Sequence, residues 1–566
     1  MIKFDFETLV EPVIARAQKE PDCRIITFVR EDGSAEDILA GKLHADSAAF
    51  ARALMAIGIK QDDLVILVLK HSPELLSAFW GSLYLGAIAS IFPFLTEKLD
   101  PEIYKDRVKT LVGLSKARAV ITFPEFKKDL SELLSEAGCQ VLGIDEVPLN
   151  KESDSQLTFC ENPSSQKIAF LQHSSGTTGL QKGVTLSHRA VINHLQSLSE
   201  AIKLVESDSI ISWLPLYHDM GLIGGLILPL VTGVPLILIS PFHWVREPAV
   251  FFQTAARFKG TLGWIPNFAF NHSVRGIRLR EMEGIDLSTL RLLINCSEPV
   301  RLDSYNLFLE KFAPYGIKKE MLAASYGMAE TTFVATQTPP GKFPTIDWVK
   351  TGKLQVEKIA VPTNPGDPGA SPMVSCGYPI PKVEMKVVDE QGNALPPRHV
   401  GEIVLRSNCL FDGYYHRPDL SLETLKDGWF YSGDYGYTDG NEWFISGRKK
   451  DLIIVGGKNI FPQDLEAIAN TTNGLYPGRN VAFGVNDPNL GSEGIVMVCE
   501  LENDTISLEE RHSIARSLRK QVVQQIEATL TDVCLVGRKW LIKTSSGKIA
   551  RSANRDKYLK ELKNRN

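Results

Sequence analysis

The stretch Ser174-Ser-Gly-Thr-Thr-Gly-Leu-Gln-Lys-Gly-Val184 follows directly after the apolar segment Ile168–Gln172. It holds four hydroxyl side chains, three glycines and one lysine. Glycines let main-chain N–H groups approach an anion, and hydroxyl and ammonium groups add further donors. A P-loop requires Gly-Lys followed by Ser or Thr, whereas here Gln181 precedes Lys182 and Gly183 follows it. The stretch predicts a phosphate-binding loop of another kind after a strand, and a solvated polar turn is the alternative.

Apolar strands alternate with helices on both sides of this loop. Leu64–Leu69 and Ala119–Thr122 are continuous apolar runs, and Ala45–Ile57 and Pro73–Leu85 are helical patterns. The same rhythm returns from residue 168 to about residue 324. Continuous apolar strands separated by helices are typical of parallel sheets covered on both faces. We therefore predict an α/β fold in which two α/β sheet layers pack together.

The pattern changes after Glu330. Residues 339–372 are rich in Pro and Gly, and residues 383–388 and 402–406 then alternate apolar with polar residues, as in the antiparallel strands of a small β-barrel. From residue 451 onward, strand patterns and one long helical face predict a compact α+β unit. The prediction is a large N-terminal domain over residues 1–446, a charged linker at residues 447–450 and a smaller α+β C-terminal domain over residues 451–566.

Composition excludes several classes of protein. Lysine plus arginine is 62 and aspartate plus glutamate is 67, so the net charge is −5 and no basic excess favours nucleic acid. Hydrophobic residues at 44% and charged residues at 23% argue against extensive disorder. Eight cysteines without a CxxC pair suggest reduced thiols, so we expect a cytoplasmic protein.

The uncharged segment Met220–Ser240 is long enough to resemble a membrane span. Glycines and prolines interrupt it, and Pro235-Leu-Ile-Leu-Ile reads as a buried strand. We predict a buried helix, turn and strand here, and no transmembrane segment. The N-terminus carries acidic residues where a signal peptide needs an unbroken apolar run.

Six motifs in a fixed order resemble those of adenylate-forming enzymes, a superfamily of acyl-CoA synthetases, luciferases and adenylation domains of peptide synthetases. They are Ser174–Val184, Tyr217-His-Asp-Met-Gly221, Tyr326-Gly-Met-Ala-Glu-Thr-Thr332, Tyr431-Ser-Gly-Asp434, Gly447-Arg448 and Ser546-Gly-Lys548. Further segments are most similar to fatty acyl-AMP ligases, namely residues 214–230, 265–270, 297–300, 374–377 and 461–466. The resemblance covers almost the whole chain.

The resemblance implies ATP-dependent activation of a fatty acid to acyl-AMP, with release of pyrophosphate. A carboxylate is already ionised at neutral pH, so the reaction needs cations and oriented donors that bring two anions together rather than a base. Glu330 is expected to hold Mg²⁺, with Thr177 as an additional ligand. Lys548 is expected to place its ammonium between the carboxylate and the α-phosphate. Taken alone, Glu330 is an ordinary helix-start carboxylate and Lys548 a solvated surface lysine.

The resemblance also assigns residues to the nucleotide. The expected contacts are Ser174, Ser175, Gly176, Thr178 and Lys182 on the phosphates, Ser297, Glu298 and Pro299 at the base edge, Ser325, Tyr326, Gly327 and Met328 beside adenine, and Asp434 and Arg448 on ribose or phosphate oxygens. The alternatives are a core tyrosine, a surface turn and a structural Asp–Arg pair. Cys296 stands where a small residue is expected, which leaves the geometry of the base-edge turn open.

The acyl group and the hinge complete the expected site. By family analogy His218 is a gate beside the substrate carboxylate, and a buried core histidine is the equal alternative. Trp264, Asn267 and Phe268 are expected on the wall of an acyl tunnel, with aromatic core packing as the alternative. In relatives the C-terminal domain rotates after adenylation, and Lys450 occupies the hinge position.

The acceptor of the acyl group depends on two features. The Pro- and Gly-rich residues 339–372 match the place where fatty acyl-AMP ligases carry an insertion that limits the motion needed for CoA, which implies an acyl carrier protein as acceptor. A disordered surface loop is the alternative. Gly456-Gly457 looks closer to CoA synthetases and leaves room for a pantetheine arm, so CoA stays open. A non-catalytic acyl-binding or scaffold protein is the remaining alternative.

Overall fold

Helices and strands alternate along the chain in a computed structural model that describes residues 2–95, 101–149, 164–174, 182–455, 458–487, 492–526, 528–544 and 547–561. Prolines begin many of the helices, where a missing N–H costs no hydrogen bond. The α-helices span Val10–Lys19, Ala40–Ala56, Pro73–Tyr84, Pro101–Ser115, Pro124–Leu134, His188–Ala201, Leu228–Thr232, Pro241–Arg246, Ala249–Phe258, Asn267–Gly276, Leu302–Phe312, Pro418–Thr424, Pro462–Thr471, Leu508–Ile526 and Arg551–Glu561.

Sheet A is parallel except for its last pair of strands. The continuous apolar run at Leu64–Val68 is buried on both faces, because Val65 and Leu67 enter one core cluster whereas Leu64, Ile66 and Val68 enter another. In spatial order the sheet contains Gln140–Gly143, Ala119–Thr122, Leu64–Val68, Ile88–Ile91, Ile168–Ser174 and Lys182–Ser187.

Sheet B has a parallel centre and antiparallel edges. The largest core cluster contains Val65 and Leu67 of sheet A together with Ile211 and Leu238 of sheet B. The two predicted sheet layers therefore pack together. In spatial order sheet B contains Tyr378–Pro379, Thr336–Gln337, Leu322–Tyr326, Leu292–Asn295, Leu262–Ile265, Ile210–Ser212, Leu236–Ile239, Arg24–Val29 and Ala35–Leu39.

The uncharged segment after Asp219 folds as the predicted helix, turn and strand. A π-helix at Met220–Ile227 continues into the α-helix Leu228–Thr232, and the strand Leu236–Ile239 joins sheet B. All eight residues of the π-helix are buried. None of the described helices is long and apolar enough to cross a membrane.

The region predicted as a small β-barrel is an antiparallel sheet, called sheet C, with a two-stranded ribbon beside it. Sheet C contains Val383–Val388, Gly401–Ser407, Trp429–Thr438, Trp443–Arg448 and the short strand Leu425–Lys426. The ribbon pairs Ile346–Lys350 with Ala370–Val374, and a bridge from Ser375 to Phe444 connects it to sheet C. The ribbon lies in the Pro- and Gly-rich segment, so described parts of that segment are folded.

The residues after Asp451 have a core of their own around sheet D, which contains Leu475–Asp487, Ser492–Leu501 and Leu530–Val536. The helices Pro462–Thr471 and Leu508–Ile526 pack on one face, and the helix Arg551–Glu561 packs on the other. A hairpin of Ile453–Val455 and Lys458–Ile460 precedes them. The predicted capping box forms, because Glu510 accepts from the Ser507 N–H and the Glu510 N–H donates to the Ser507 hydroxyl.

Candidate active site

The predicted motifs meet at the carboxyl ends of the parallel strands of sheet B. Ile210–Ser212 is followed by the Tyr217–Gly221 motif, Leu292–Asn295 by the Ser297 turn, and Leu322–Tyr326 by the Glu330 motif. The strand Ile210–Ser212 lies between the two strands that follow it in sequence, so the strand order reverses there. Crevices at such reversals are the usual ligand sites of open α/β sheets.

Glu330 lies in a short turn at this edge and is held by aromatic and main-chain groups. Its Oε1 accepts from the Tyr414 hydroxyl at 2.8 Å, and its carbonyl accepts from the Phe411 N–H at 2.9 Å. Burial raises the pKa values of Asp219 and Asp434, and the negative charge of Glu330 adds a smaller rise, so three carboxylates share one neighbourhood. Such a cluster is unfavourable without cations, which predicts that a cationic partner belongs there.

Asp434 and Arg448 face each other on adjacent strands of sheet C. The Arg448 Nε lies 3.5 Å from Asp434 Oδ1, and the Tyr326 hydroxyl donates to Asp434 Oδ2 at 2.9 Å. Burial raises the pKa of Asp434, and Arg448 opposes that shift. Tyr326 is thereby fixed beside the Asp–Arg pair. Gly327 follows it, and a side chain there would overlap the Phe333 backbone.

The Tyr217–Gly221 motif supplies a histidine and an aspartate. Asp219 Oδ1 accepts from the Met220 N–H at 2.8 Å and caps the π-helix, a helix type that often marks functional sites. His218 Nε2 is buried and has no hydrogen-bond partner among the described residues. Burial, with a smaller contribution from Lys548, lowers the pKa of His218 to about 3. His218 is therefore neutral at physiological pH.

Lys548 reaches this edge from the C-terminal part of the chain. It lies on a tight hairpin in which Lys543 pairs with Ile549, the Thr544 N–H donates to the Lys548 carbonyl at 2.7 Å, and Gly547 has φ +81°. Its charge lowers the pKa values of Asp219 and Glu298 against the dominant effect of burial. The structure therefore brings the predicted lysine to the same edge as the predicted glutamate.

The phosphate-loop stretch joins the antiparallel strands Ile168–Ser174 and Lys182–Ser187, with Ser174 opposite Lys182. Lys182 Nζ lies 4.7 Å from the centre of the Tyr414 ring, and Tyr414 also holds Glu330. The base of the loop is thus at the site. The predicted residues Ser175, Gly176, Thr177 and Thr178 lie outside the described residues.

The match to known proteins decides the family. The model of the AMP-binding enzyme family matches residues 14–415. The chain belongs to the AMP-binding enzyme family. Enzymes of this family that form adenylates use ATP, so the predicted nucleotide is confirmed at that level.

Relatives of this AMP-binding enzyme extend along nearly the whole chain. A candidate acyl-CoA synthetase of Caulobacter vibrioides is 31% identical, covering 98% of this chain and 96% of its own length. The long-chain-fatty-acid–AMP ligase FadD26 of Mycobacterium marinum is 30% identical, covering 97% of each. The medium-chain-fatty-acid–[acyl-carrier-protein] ligase JamA of Moorena producens is 28% identical over 99% of this chain and 96% of its own.

A solved structure agrees with these relatives. A fatty acyl-adenylate ligase from a study of the Escherichia coli and Legionella pneumophila enzymes superposes with a TM-score of 0.90, at 25% identity and over 99% of both chains. The predicted fold and the resemblance to fatty acyl-AMP ligases are confirmed.

The predicted base-edge turn of this AMP-binding enzyme has an unexpected carboxylate. Ser297 has φ +70°, and Glu298 Oε2 accepts from the Phe268 N–H at 2.8 Å, so Glu298 caps the helix Asn267–Gly276. Pro299 is exposed. Glu298 thus points toward the helix, which the sequence did not indicate. Burial raises its pKa, and the charges of Lys548 and Lys543 oppose that rise.

The three residues predicted on the acyl wall have different surroundings. Trp264 is 1% exposed and packs edge-on to Phe333, whereas Phe268 is 40% exposed and lies edge-on to the stacked pair Trp213 and Trp244. Asn267 is tied into a polar network: its Oδ1 accepts from Asn295 Nδ2 and the Arg301 N–H, and its Nδ2 donates to Ser304 Oγ. These contacts give Asn267 a structural part.

The predicted residues Ser325, Met328 and Lys450 differ in their surroundings. Ser325 is 3% exposed, and its buried hydroxyl has no hydrogen-bond partner among the described residues. The Met328 N–H donates to Thr331 Oγ1. Burial lowers the pKa of Lys450, with Arg448 contributing and Asp434 opposing. Tyr414, which holds Glu330, was missed because nothing in the sequence near residue 414 indicates that contact.

The donor set around Glu330 suits magnesium bound together with a nucleotide. Mg²⁺ is usually held by one or two carboxylates plus substrate phosphates rather than by an all-protein cage. Among the described residues no group of three or more His, Cys, Asp or Glu side chains is arranged to hold a metal ion. Glu330 is a carboxylate beside the base of the predicted phosphate loop, so it fits that mode of binding.

Proposed function

We propose that this AMP-binding enzyme converts a fatty acid and ATP to acyl-AMP and pyrophosphate and then passes the acyl group to the phosphopantetheine thiol of an acyl carrier protein. The convergence of Lys548 with His218, Asp219 and Glu298 supports the proposal most directly. The names of the relatives, an AMP ligase and a carrier-protein ligase among them, support the same chemistry.

In the first step an oxygen of the fatty acid carboxylate forms a bond to the α-phosphorus, and the bond from that phosphorus to the bridging β-oxygen breaks. Pyrophosphate leaves with the electron pair. Both reactants are anions, so the barrier is electrostatic and no proton needs to be removed. We assign the ammonium of Lys548 to the space between the two anions, where it offsets their repulsion.

Glu330 is the proposed magnesium ligand, with Thr177 as a second one. When bound, the ion would neutralise phosphate charge. The Tyr414 hydroxyl holds Glu330 Oε1 at 2.8 Å and leaves its other oxygen for a ligand. His218, neutral because burial lowers its pKa, suits a gate beside an anionic carboxylate without forming a competing ion pair.

The nucleotide contacts follow the geometry of the site. Tyr326 is the proposed adenine neighbour, and Asp434 with Arg448 is the proposed ribose and phosphate site. The Ser174 stretch with Lys182 is the proposed phosphate loop, and the Ser297 turn offers main-chain groups to the base edge. Trp264 and Phe268 are proposed on the acyl wall, for which Asn267 orders the local backbone.

The acceptor proposal rests on the packing of residues 339–372. Val349, Leu354 and Ala360 share a core cluster with Tyr437 of sheet C, and with Phe461 at the start of the C-terminal unit. Asp347 anchors the ribbon further: it accepts from both Arg398 guanidinium nitrogens at 3.2 Å and from the Tyr437 hydroxyl at 2.7 Å.

A segment packed against both parts of the chain resists their relative motion. We therefore propose residues 1–446 as the adenylation domain and residues 451–566 as the C-terminal domain. Residues 447–450, including Lys450, are the proposed hinge. Because the packed segment restricts motion about this hinge, we propose that CoA is disfavoured as acceptor. Gly456-Gly457, which favours CoA, lies outside the described residues.

The seven cysteines among the described residues are unpaired, which suits a cytoplasmic enzyme.

A competition assay tests the acceptor. Acyl-AMP is formed from fatty acids of several chain lengths, and equal concentrations of CoA and a phosphopantetheinylated carrier protein then compete for the acyl group. We expect acylated carrier protein as the main product, whereas predominant acyl-CoA would contradict the proposal. Leu354→Ala loosens the shared cluster and should raise the share of acyl-CoA; Leu422→Ala, at a 75% exposed leucine, is the matched control. Absence of adenylation at every chain length would favour a non-catalytic acyl-binding or scaffold protein.

A further inference from the structure

A charged contact joins the segment after strand Leu292–Asn295 to the C-terminal unit. Arg301 Nη2 donates to the Gln463 carbonyl at 2.7 Å and lies 3.7 Å from Asp464 Oδ1. Burial raises the pKa of Asp464, and the charge of Arg301 opposes that rise. The segment thus contacts the C-terminal unit through one positive side chain that meets a main-chain acceptor and a carboxylate.

Each partner is held in place by its own element. The Arg301 N–H donates to Asn267 Oδ1 at 3.1 Å, so Arg301 extends from an ordered backbone. On the other side, Asp464 lies in the first turn of the helix Pro462–Thr471. Lys543 lies at the base of the hairpin that carries Lys548. Because both partners belong to ordered elements, a contact between them fixes the position of the C-terminal unit.

The pair is partly shielded from water. The Arg301 and Asp464 side chains are 31% and 35% exposed. Charged groups that lose water in this way are favourable only while they are paired, so the arrangement penalises any placement of the C-terminal unit that separates them.

We propose that Arg301 forms a charge-paired clasp with Asp464 and the Gln463 carbonyl, which positions the C-terminal unit so that Lys548 reaches the adenylation site. The inference rests on the proposed function for its kinetic consequences. Arg301 and Asp464 are positioning residues, because they act through Lys548.

Charge reversal with rescue tests the clasp. Arg301→Glu and Asp464→Arg should each reduce ATP–pyrophosphate exchange at least tenfold, while the KM for ATP and the transfer of acyl groups from supplied acyl-AMP change less than twofold. The double variant restores the opposite charges in exchanged positions and should recover exchange to within threefold of wild type. Arg280→Glu, at an exposed arginine, is the matched control.

A second measurement separates the clasp from the proposed function and from loss of folding. Hydrogen–deuterium exchange of the peptides containing residues 463–466 and 540–550 needs no activity. Both peptides should exchange faster in Arg301→Glu and return to the wild-type rate in the double variant, with unchanged thermal unfolding. Failure of the double variant to restore either readout, or an equal loss of both half-reactions, would overturn the clasp. If the double variant regains wild-type protection from hydrogen–deuterium exchange but the wild-type protein shows no ATP–pyrophosphate exchange, the clasp stands and the proposed function is overturned.

Discussion

Replacing Lys548 by alanine removes one positive charge from the edge of sheet B where the carboxylates meet. Burial is the main influence on the pKa values of His218, Asp219 and Glu298, and the charge of Lys548 makes a smaller contribution that lowers all three. Two unit charges about 4 Å apart interact by about 1 kcal/mol in bulk water and about 4 kcal/mol near a protein surface. Lys548 is exposed. An ammonium between the two reacting anions, as proposed, would interact with them at about the larger of these two energies.

Since about 1.4 kcal/mol corresponds to a factor of ten in rate, the loss of Lys548 should slow adenylation by about 10³-fold. ATP binding should persist, because the nucleotide contacts lie on other residues. The assay is ATP–pyrophosphate exchange with a saturating fatty acid, together with direct ATP binding. Lys560→Ala removes the same charge from an exposed position of the last helix and should leave both unchanged. An unaltered exchange rate in Lys548→Ala would refute the reasoning.

Three further perturbations separate chemistry from stability. Glu330→Gln should abolish magnesium-dependent exchange, whereas Tyr414→Phe, which removes one hydrogen bond to Glu330, should cost about tenfold in the same assay. Burial lowers the pKa of His194 to about 3, so below about pH 6.5 the unfolded chain binds a proton that the folded chain does not. The free energy of unfolding therefore falls as the pH drops from about 6.5 toward about 3. In urea titrations, His194→Gln should reduce the fall in unfolding free energy between about pH 7.5 and about pH 5 by about 2 kcal/mol. Gly327→Ala should lower the melting temperature and remove exchange, because the added methyl group overlaps backbone atoms; Gly113→Ala, in open space on a helix, should be neutral or stabilising. Equal melting temperatures for the two glycine variants would count against the packing of the Glu330 motif.

Local pattern was enough to predict much of the fold. The run Leu64–Val68 is apolar at every position because both of its faces are buried, and the Ser507–Glu510 capping box marks the start of its helix in sequence and in structure. The ribbon strand Ile346–Lys350 was not predicted, because it is anchored by a residue distant in sequence: Asp347 contacts Arg398, 51 residues away. Sequence periodicity carries no record of such a partner.

The candidate site likewise contains residues that the sequence indicated and residues that it did not. The resemblance to adenylate-forming enzymes implied Glu330, Asp434 and Lys548. The structure brings Glu330 and Lys548 within electrostatic range of Asp219, and Glu330 within range of Asp434. Tyr414, 84 residues from its partner Glu330, and Arg301, 162 residues from its partner Gln463, have no local signal. Side chains that position a catalytic group become visible only when chain segments distant in sequence are brought together.

Isotope transfer tests the central claim most directly. A fatty acid labelled with ¹⁸O in both carboxylate oxygens is incubated with ATP, Mg²⁺, the enzyme and a phosphopantetheinylated carrier protein, and the nucleotide product is weighed by mass spectrometry. Attack of the carboxylate on the α-phosphorus followed by thiol transfer leaves one ¹⁸O atom in AMP, and this is the predicted result. Unlabelled AMP, or ADP together with ¹⁸O-labelled inorganic phosphate, would contradict the formation of acyl-AMP.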